Sequence, residues 1–483
     1  AMNLAQLHQE LSPLEQQCAS DALLARASAL LPLVQGQSLE EAYLLYVAGK
    51  ALVGLGDYGA ALQPLQAQIK FESFDLPNGL HVILHQDNSN PLVAVSVLYH
   101  VGSKDEIPTR TGFAHFFEHL LFEGSENIGR GEYMQLIQSN GGALNANTSN
   151  DRTFYYEILP SNQLELGLWM ESERMLHAKI DQVGVDTQRE VVKEEKRQRV
   201  DNQPYASFLS EMFVRAFKQH NYRWVPIGSM DHLNAATLEE FMAFYKKYYV
   251  PNNATLSIAG DIDVAQTKAM ITKYFGDIPA GATVQRPSAY EPPLGGEVVD
   301  TIYDNIQIPA VFAGYRMVSE THPDTYALQM LTTALSDGPS SRFSKRMVDQ
   351  DQNALQVAAF PFAMEHHGVF IALALANGAT STGTLMTTME EEISKMQQEP
   401  LSEKEFTKLL NKVESDYVNR NSGVAGIAEN LANYHVYYGD ANLINTEIER
   451  FRTVTPADLQ RVAQTYLKPE NRVVLHYLPK SAQ

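Results

Sequence analysis

The chain has 483 residues, of which 44% are hydrophobic and 19% charged, a composition typical of a globular protein with more than one domain. Its formal net charge of −20 disfavours nucleic acids and anionic membrane surfaces as partners, because both are negatively charged. No apolar run approaches the roughly 20 residues that a membrane span needs. The single cysteine, Cys18, excludes internal disulfides and cysteine-based zinc sites.

Residues 1–68 are predicted to be helical. Within them, residues 38–65 indicate a helical hairpin, because Ser38 and Glu41 form a capping-box pattern and Gly54–Asp57 provides a turn. This hairpin resembles one tetratricopeptide unit, and a single unit cannot form a stable solenoid. We therefore expect a helical appendage that packs on the rest of the chain or on a partner. The alternative is a flexible leader.

From Phe71 onward the hydrophobic pattern changes to that of strands. Phe71–Leu76 and Leu80–Leu84 flank Pro77–Asn78–Gly79, which is a hairpin signal. A valine-rich run from Pro91 to Tyr99 predicts a buried strand.

The next segment predicts a helix that carries a metal site. Thr111 is a suitable N-cap, and Gly124 can end the helix. His115 and His119 are four residues apart, so both imidazoles project from one face and can bind one divalent metal. Glu118 completes the order H-x-x-E-H of inverted zinc peptidases, in which the glutamate is the general base rather than a ligand. The alternative is an amphipathic core helix whose polar side chains face water.

A catalytic zinc site needs a third protein ligand, with the fourth position open to water. Thr187 and Glu190 form a capping-box pattern, which predicts that a second helix begins at Thr187. Helical spacing places Glu194 on its charged, solvent-facing side and Glu195 on its apolar side, beside two valines. A carboxylate on the buried side needs a positive partner, so Glu195 is the predicted third ligand. The alternative is that it forms a surface ion pair.

An internal repeat follows a segment of linker composition at residues 278–296, which is rich in proline and glycine. Matching residues on the two sides of the segment are separated by a constant 218 positions. These pairs are Thr237 and Thr455, Tyr248 and Tyr466, Pro251 and Pro469, Asn253 and Asn471, and Pro91 and Pro309. The repeat predicts two α/β domains of the same fold. The second contains no H-x-x-E-H, and Thr333 stands where His115 would repeat.

The H-x-x-E-H helix, the Glu195 helix and the segment Gly141–Thr148 between them resemble the pitrilysin family of zinc metallopeptidases. That family includes insulin-degrading enzyme and the mitochondrial processing peptidase. The resemblance covers about Lys70–Leu478 and best matches the short bacterial or processing-peptidase type. It implies that His115, His119 and Glu195 hold one Zn²⁺ per chain.

The resemblance also implies that Glu118 is the general base. One position departs from the family pattern. Gln188 stands two turns before the ligand glutamate, where the family often has an acid. This departure affects the strength of metal binding and removes no ligand.

The implied fold class is α+β, with two homologous α/β domains, each a mixed sheet covered by helices, and a small N-terminal helical segment. We expect a helical appendage over residues 1–68 and a catalytic zinc-binding domain over residues 69–280. A linker at residues 281–296 then joins a non-catalytic homologous domain over residues 297–483.

The implied function is endopeptidase cleavage of peptides or unfolded segments by metal-activated water. The strand predicted over Ala143–Thr148 would be a sheet edge to which substrate adds as a further strand, bound by Ala143, Asn145 and Ala146. The alternative is an ordinary hairpin. For the whole chain, the alternatives are a non-catalytic core or scaffold subunit and a peptide-binding module on the same fold. An intact motif argues against the non-catalytic subunit.

Single-chain members of the family carry an Arg and, seven residues later, a Tyr in the second half, which hold the substrate opposite the zinc. Counted from Ser340–Phe343, these positions fall at Val348 and Leu355. Neither Arg342 nor Arg346 is followed by a tyrosine at that spacing. We therefore expect a homologous second subunit that supplies Arg and Tyr, or otherwise a homodimer. The alternative is that Arg342 or Arg346 acts alone.

The sequence is compatible with two cellular compartments. The first residues show no charged-then-apolar secretion signal. Because bacterial relatives are often exported, we expect either the bacterial periplasm, with the signal removed, or the cytoplasm.

Overall fold

A computed structural model describes residues 68–480 together with Leu11 and Ala27. The helical hairpin predicted over residues 38–65 lies outside the described residues. The chain divides into two compact units, one of residues 1–70 and 407–422 and the other of residues 71–406 and 423–483. The larger unit contains both sheets and every predicted site residue.

The first sheet has six strands in the order β1-β2-β6-β3-β5-β4. They are β1 (Glu72–Asp75), β2 (His81–Gln86), β3 (Leu92–Tyr99), β4 (Ala143–Thr148), β5 (Thr153–Pro160) and β6 (Ala254–Gly260). The predicted hairpin is confirmed, because β1 and β2 pair antiparallel around a turn in which Gly79 has a φ of 85°. β2 and β6 pair parallel, and β4 lies at the far edge.

Eight helices lie in the described chain between Phe113 and Phe275. They are α1 (Phe113–Leu120), α2 (Glu132–Ser139), α3 (Leu164–Leu176), α4 (Gln182–Lys196), α5 (Phe208–Ala216), α6 (Met230–Ala235), α7 (Leu238–Tyr248) and α8 (Val264–Phe275). Phe116 of α1, Leu168 of α3 and Phe241 of α7 share one core with Val95 and Val97 of β3. This core holds α1 against the sheet.

The second sheet repeats the order of five of the six strands of the first sheet. It contains β7 (Val298–Asp304), β8 (Ala310–Met317), β9 (Ala354–Ala363), β10 (Gly368–Ala376) and β11 (Arg472–Pro479). Their order, β7-β11-β8-β10-β9, matches β2-β6-β3-β5-β4, and β7 pairs parallel with β11 as β2 does with β6. β8 and β11 each begin 218 residues after β3 and β6. The predicted internal repeat therefore corresponds to a repeated sheet.

One helix of each half packs against the sheet of the other half. The later helices are α9 (Asp324–Ser336), α10 (Thr382–Gln398), α11 (Glu403–Arg420), α12 (Val424–Tyr438), α13 (Leu443–Arg452) and α14 (Pro456–Tyr466). Met212 and Phe213 of α5 lie in the core of the second sheet with Phe312. In return, Ala432 of α12 packs against Leu98 of the first sheet. Each sheet is thus covered on one face by a helix from the other half, which burial patterns along the sequence did not reveal.

Within residues 68–480, no helix combines the length and apolar character that crossing a bilayer requires.

Candidate metal centre

Helix α1 begins later than its sequence predicts. Its first residue is Phe113, and the preceding Gly112 has a φ of 96°, a conformation that favours glycine. The hydroxyl of Thr111 contacts a histidine of α6 instead of capping the helix. The first-turn amides are satisfied from elsewhere, because the carboxylate of Glu106 accepts hydrogen bonds of 2.9 Å from both Gly112 N and Ala114 N.

The apolar residues of α1 fix which way its histidines point. Phe116, Phe117 and Leu120 are buried in the core, and Phe116 stacks on Phe241 with ring centroids 4.7 Å apart. His115 and His119 occupy the opposite side, where their rings lie edge to face at 4.8 Å. The predicted spacing therefore places both imidazoles on one accessible face.

Helix α4 begins at Gln182, so the predicted start at Thr187 is wrong. Asp181 is the N-cap, and its carboxylate accepts a 2.8 Å hydrogen bond from Gly184 N. The hydroxyl of Thr187 donates to the carbonyl of Val183 inside the helix. A capping-box pattern cannot act once a cap nearly two turns earlier has already started the helix.

The two adjacent glutamates of α4 lie in different surroundings, as the helical spacing predicts. The side chain of Glu194 is 47% exposed and bonds Arg197 and Gln198. The side chain of Glu195 is 14% exposed and faces α1. Its Oε2 atom lies 2.9 Å from Nε2 of His119 and 3.5 Å from Nε2 of His115.

Three side chains from two helices thus form one potential ligand set. Ligand-type atoms of His115, His119 and Glu195 lie within 4.8 Å of one another, and no other such group of three occurs in the described part of the chain. Ligand atoms of a tetrahedral site with bonds of about 2.1 Å are separated by about 3.4 Å, close to the observed spacing. Glu195 Oε2 is buried, and the two imidazoles are its polar neighbours among the described residues. Two imidazoles and a carboxylate are a known catalytic zinc set, and these residues fit it.

The charge states of His115 and Glu195 suit metal binding. Burial, reinforced by His119, lowers the pKa of His115 to about 4 and keeps its imidazole neutral at pH 7. Contact with His119 lowers the pKa of Glu195, whose Oε1 atom also accepts a 2.6 Å hydrogen bond from Arg199. Neutral imidazoles and an ionised carboxylate are the forms that bind metal.

Glu118 faces strand β4 rather than the Glu195 helix. Its carboxylate accepts a 2.6 Å hydrogen bond from the hydroxyl of Thr148, the last residue of β4. Burial raises the pKa of Glu118, and the Thr148 hydrogen bond opposes that rise. Thr148 was not among the site residues predicted from the sequence, although it ends the strand predicted over Ala143–Thr148, beside the predicted site.

Strand β4 is an edge strand that carries the predicted substrate-binding residues. Ala143 and Asn145 are exposed, whereas Ala146 is largely buried. The amide of Ala146 donates to Oδ1 of Asn145 at 2.9 Å, so this donor is directed away from the pairing with β5. On its other side, β4 pairs with no further strand of the described residues.

Gln188 lies outside the ligand set. Its amide donates to the carboxylate of Glu123, which also pairs with Arg130. The departure from the family pattern therefore concerns this neighbouring polar group, and the three candidate ligands keep their places.

In the second half, neither position expected for Arg or Tyr carries that residue, and the two nearby arginines are paired with carboxylates. Val348 lies half-buried in a π-helical turn, and Leu355 is 52% exposed on β9. Arg342 forms two hydrogen bonds with Glu405, and Arg346 pairs with two other carboxylates. Within residues 68–480, both arginines are thus held by acids of their own half.

Two α/β halves of equal strand order, one of which carries an H-x-x-E-H helix facing a glutamate, define a two-domain metallopeptidase fold. The chain belongs to the peptidase M16 family. Residues 81–224 match the family model described as "Insulinase (Peptidase family M16)", and residues 235–413 match "Peptidase M16 inactive domain". The resemblance is confirmed, as is the predicted fold class of two mixed sheets covered by helices. The small N-terminal helical segment predicted with it lies outside the described residues.

Curated relatives carry peptidase names. The chain is 28% identical over 439 residues to "Zinc protease PqqE" of Helicobacter pylori, covering 89% of this chain and 99% of that protein. It is 24% identical over 399 residues to an uncharacterized zinc protease of Streptomyces coelicolor, covering 81% and 86%. It is 23% identical over 401 residues to mitochondrial-processing peptidase subunit beta of Blastocladiella emersonii, covering 81% and 85%.

Solved structures agree with the fold. A protease from Helicobacter pylori superposes with a TM-score of 0.82 at 28% identity, covering 86% of this chain and all of that one. A peptidase M16 inactive domain from Pseudomonas fluorescens gives a TM-score of 0.76 at 15% identity, covering 85% and 98%. The latter likeness concerns the fold alone.

Proposed function

We propose that this chain is a zinc endopeptidase that cleaves peptides or unfolded segments. The observation that carries the proposal is the position of Glu195 Oε2, which faces Nε2 of both His115 and His119 and has no other polar partner among the described residues. The zinc-protease names of the relatives support the same metal. When bound, zinc would polarise the scissile carbonyl and acidify a water molecule.

Named side chains of this chain would bind the metal, accept the proton and orient these groups. His115, His119 and Glu195 would hold one Zn²⁺, and Arg199 would orient Glu195 through its second oxygen. Glu118 would accept the proton of the attacking water and deliver it to the leaving amine. Thr148 would fix the Glu118 carboxylate for that transfer.

Substrate would bind by adding a strand to the edge of β4. Backbone pairing at an edge requires an extended peptide and places little demand on its sequence. Ala143, Asn145 and Ala146 would contact this strand, and the Asn145 side chain would release the Ala146 amide to it. Folded proteins offer few such strands, so the substrate class is a peptide or an unfolded segment.

A homologous second subunit would complete the active enzyme. Val348 and Leu355 occupy the positions expected for Arg and Tyr, and Arg342 and Arg346 are engaged by carboxylates. One relative is named as a subunit of a processing peptidase. If no such chain exists, a homodimer is the alternative. With either partner, residues 69–280 would be the catalytic domain, residues 281–296 a linker and residues 297–483 the non-catalytic copy.

The competing function is a non-catalytic core or scaffold subunit, or a peptide-binding module. The complete ligand set and the Thr148-held Glu118 favour catalysis, because a scaffold has no need of either.

The partner proposal is tested with a fluorogenic unfolded peptide and the zinc-loaded, purified chain. We expect slow cleavage by the chain alone and at least about a hundredfold gain on adding the homologous chain that lacks H-x-x-E-H, because oxyanion contacts are worth that much. Equal rates for the monomeric chain and the mixture would contradict the two-subunit account. Chelator should abolish cleavage in both samples.

A further inference from the structure

Helix α1 is short for the number of functional groups it carries. Its eight residues form about two turns and include both candidate histidine ligands and the candidate base. Helices of this length are unstable alone and depend on their surroundings. We infer that Glu106 and Arg174 are positioning residues of the metal site, which fix the two ends of α1 so that its histidines face Glu195. The inference rests on the proposed function.

Glu106 holds the N-terminal end. Its side chain is almost fully buried, and its two oxygens accept 2.9 Å hydrogen bonds from the amides of Gly112 and Ala114. Oε2 also accepts a 3.0 Å hydrogen bond from the indole of Trp224. Three N–H donors around one carboxylate leave it a single orientation. Glu106 thus performs the capping role that the sequence predicts for Thr111.

Arg174 holds the C-terminal end. It is only 1% exposed, and its Nη1 atom donates a 2.7 Å hydrogen bond to the carbonyl of Leu121, directly after α1. The guanidinium lies among the rings of Phe122, Tyr133 and Tyr155, 4.3 to 4.8 Å from their centroids. These rings prevent it from moving away from the helix end.

The charge of Arg174 has the sign that a helix end favours. A positive group stabilises the C-terminal end of the helix dipole, and Arg174 is buried, so solvent screens its charge little. Burial raises the pKa of Glu106 to about 8, so this side chain holds the N-terminal end through its hydrogen bonds rather than through a fixed negative charge. The two contacts together oppose sliding or rotation of α1 beneath the ligand set.

The buried position of Arg174 also has a purely structural explanation, and the test must distinguish it from positioning of the metal site. It pairs with Glu171 at 3.0 Å and lies 3.7 Å from Glu157, so it compensates two buried carboxyl groups. Loss of that compensation alone would lower stability. Loss of positioning would alter the metal site of a protein that still folds.

The test compares two variants with two matched controls. Glu106→Gln keeps the side-chain size but turns an N–H group toward backbone donors, and Arg174→Met removes the charge. Glu291→Gln is the control for the first, because Glu291 is buried and accepts hydrogen bonds from three consecutive backbone amides away from α1. Arg472→Met is the control for the second, because Arg472 is buried with two carboxylates in the second half.

The readouts are the zinc dissociation constant by chelator competition, the visible spectrum of the Co²⁺-substituted protein, and the melting temperature of the metal-free protein. We expect Glu106→Gln and Arg174→Met each to weaken zinc binding about tenfold or more and to change the Co²⁺ spectrum. The controls should lower the melting temperature and leave zinc affinity and spectrum as in the wild type. Glu106→Asp should recover part of the affinity.

Two milder variants keep the test decisive if the first pair does not fold. Trp224→Phe removes only one donor to Glu106, and Arg174→Lys keeps the charge with a single donor group. Each should weaken zinc binding several-fold. Folded variants with wild-type affinity and spectrum would overturn the inference, as would controls that weaken zinc equally. A wild-type chain that binds neither zinc nor Co²⁺ would instead overturn the proposed function.

Discussion

Glu195 Oε2 lies 2.9 Å from Nε2 of His119, although the two residues belong to different helices. The contact joins α4 to α1, and the neighbouring Glu194 points away from it toward Arg197. Two carboxylates that are adjacent in sequence therefore have different environments. This difference provides the sharpest test of the ligand assignment.

Glu195→Gln should weaken zinc binding by at least about tenfold, because an amide is a poorer ligand than a carboxylate and does not balance the metal charge. Glu194→Gln, on the exposed side of the same turn, is the matched control and should bind zinc as the wild type does. Chelator titration of both variants measures the difference. Equal losses, or a larger loss from Glu194→Gln, would show that the wrong carboxylate was assigned.

Thr148→Val should reduce peptide cleavage about tenfold or more while zinc affinity stays unchanged, because it removes a hydrogen bond to the ionised Glu118 carboxylate. Thr272→Val is the control, since the Thr272 hydroxyl donates to the Lys268 carbonyl within its own helix α8. Steady-state kinetics and zinc competition are measured on the same preparations. A Thr148→Val enzyme of undiminished kcat would exclude Thr148 from orienting the base.

Stability in acid should depend on a stacked pair of histidines. The rings of His81 and His435 stack with centroids 3.5 Å apart, and burial together with His81 lowers the pKa of His435 from 6.5 to about 4. Asp75, which contacts His81 at 2.7 Å, partly opposes the shift. The folded state thus binds this proton less readily than the unfolded state does. Its contribution to stability is complete above pH 6.5 and is lost as the pH falls toward 4.

His435→Phe keeps a stacked ring but cannot titrate, so the melting temperature of the metal-free variant should fall less between pH 6.5 and 4. Because His435 is only half buried, we expect a difference of about 1 kcal/mol in the free energy of unfolding. His322→Gln, at a largely exposed histidine, serves as the control. Parallel pH profiles for the wild type and His435→Phe would contradict the prediction.

Much of the first half could be predicted because its signals are local. The Pro77–Gly79 hairpin, the buried strand before Tyr99 and the opposite faces of Glu194 and Glu195 all follow from patterns within one or two turns of chain. The constant spacing of 218 residues revealed the repeated sheet. The predicted start of α4 was wrong because Asp181 caps the helix earlier in the chain than Thr187.

Contacts distant in sequence could not be predicted in this way. Glu106 caps α1 only because the fold turns the preceding loop back beneath Gly112. Arg174 reaches Leu121 from a helix that lies beyond two intervening strands. The exchange of α5 and α12 between halves is likewise invisible to periodicity, since an apolar helix face does not specify which sheet covers it.

The central claim is that Glu118 is the base of a zinc peptidase, and one comparison tests it most directly. Zinc content and cleavage of an unfolded peptide are measured for Glu118→Gln and for Glu126→Gln, whose side chain is 74% exposed. Both variants should retain about one zinc per chain. Glu126→Gln should cleave as the wild type does, whereas Glu118→Gln should lose at least about a hundredfold. A zinc-loaded Glu118→Gln enzyme that cleaves at near wild-type rate would contradict the account.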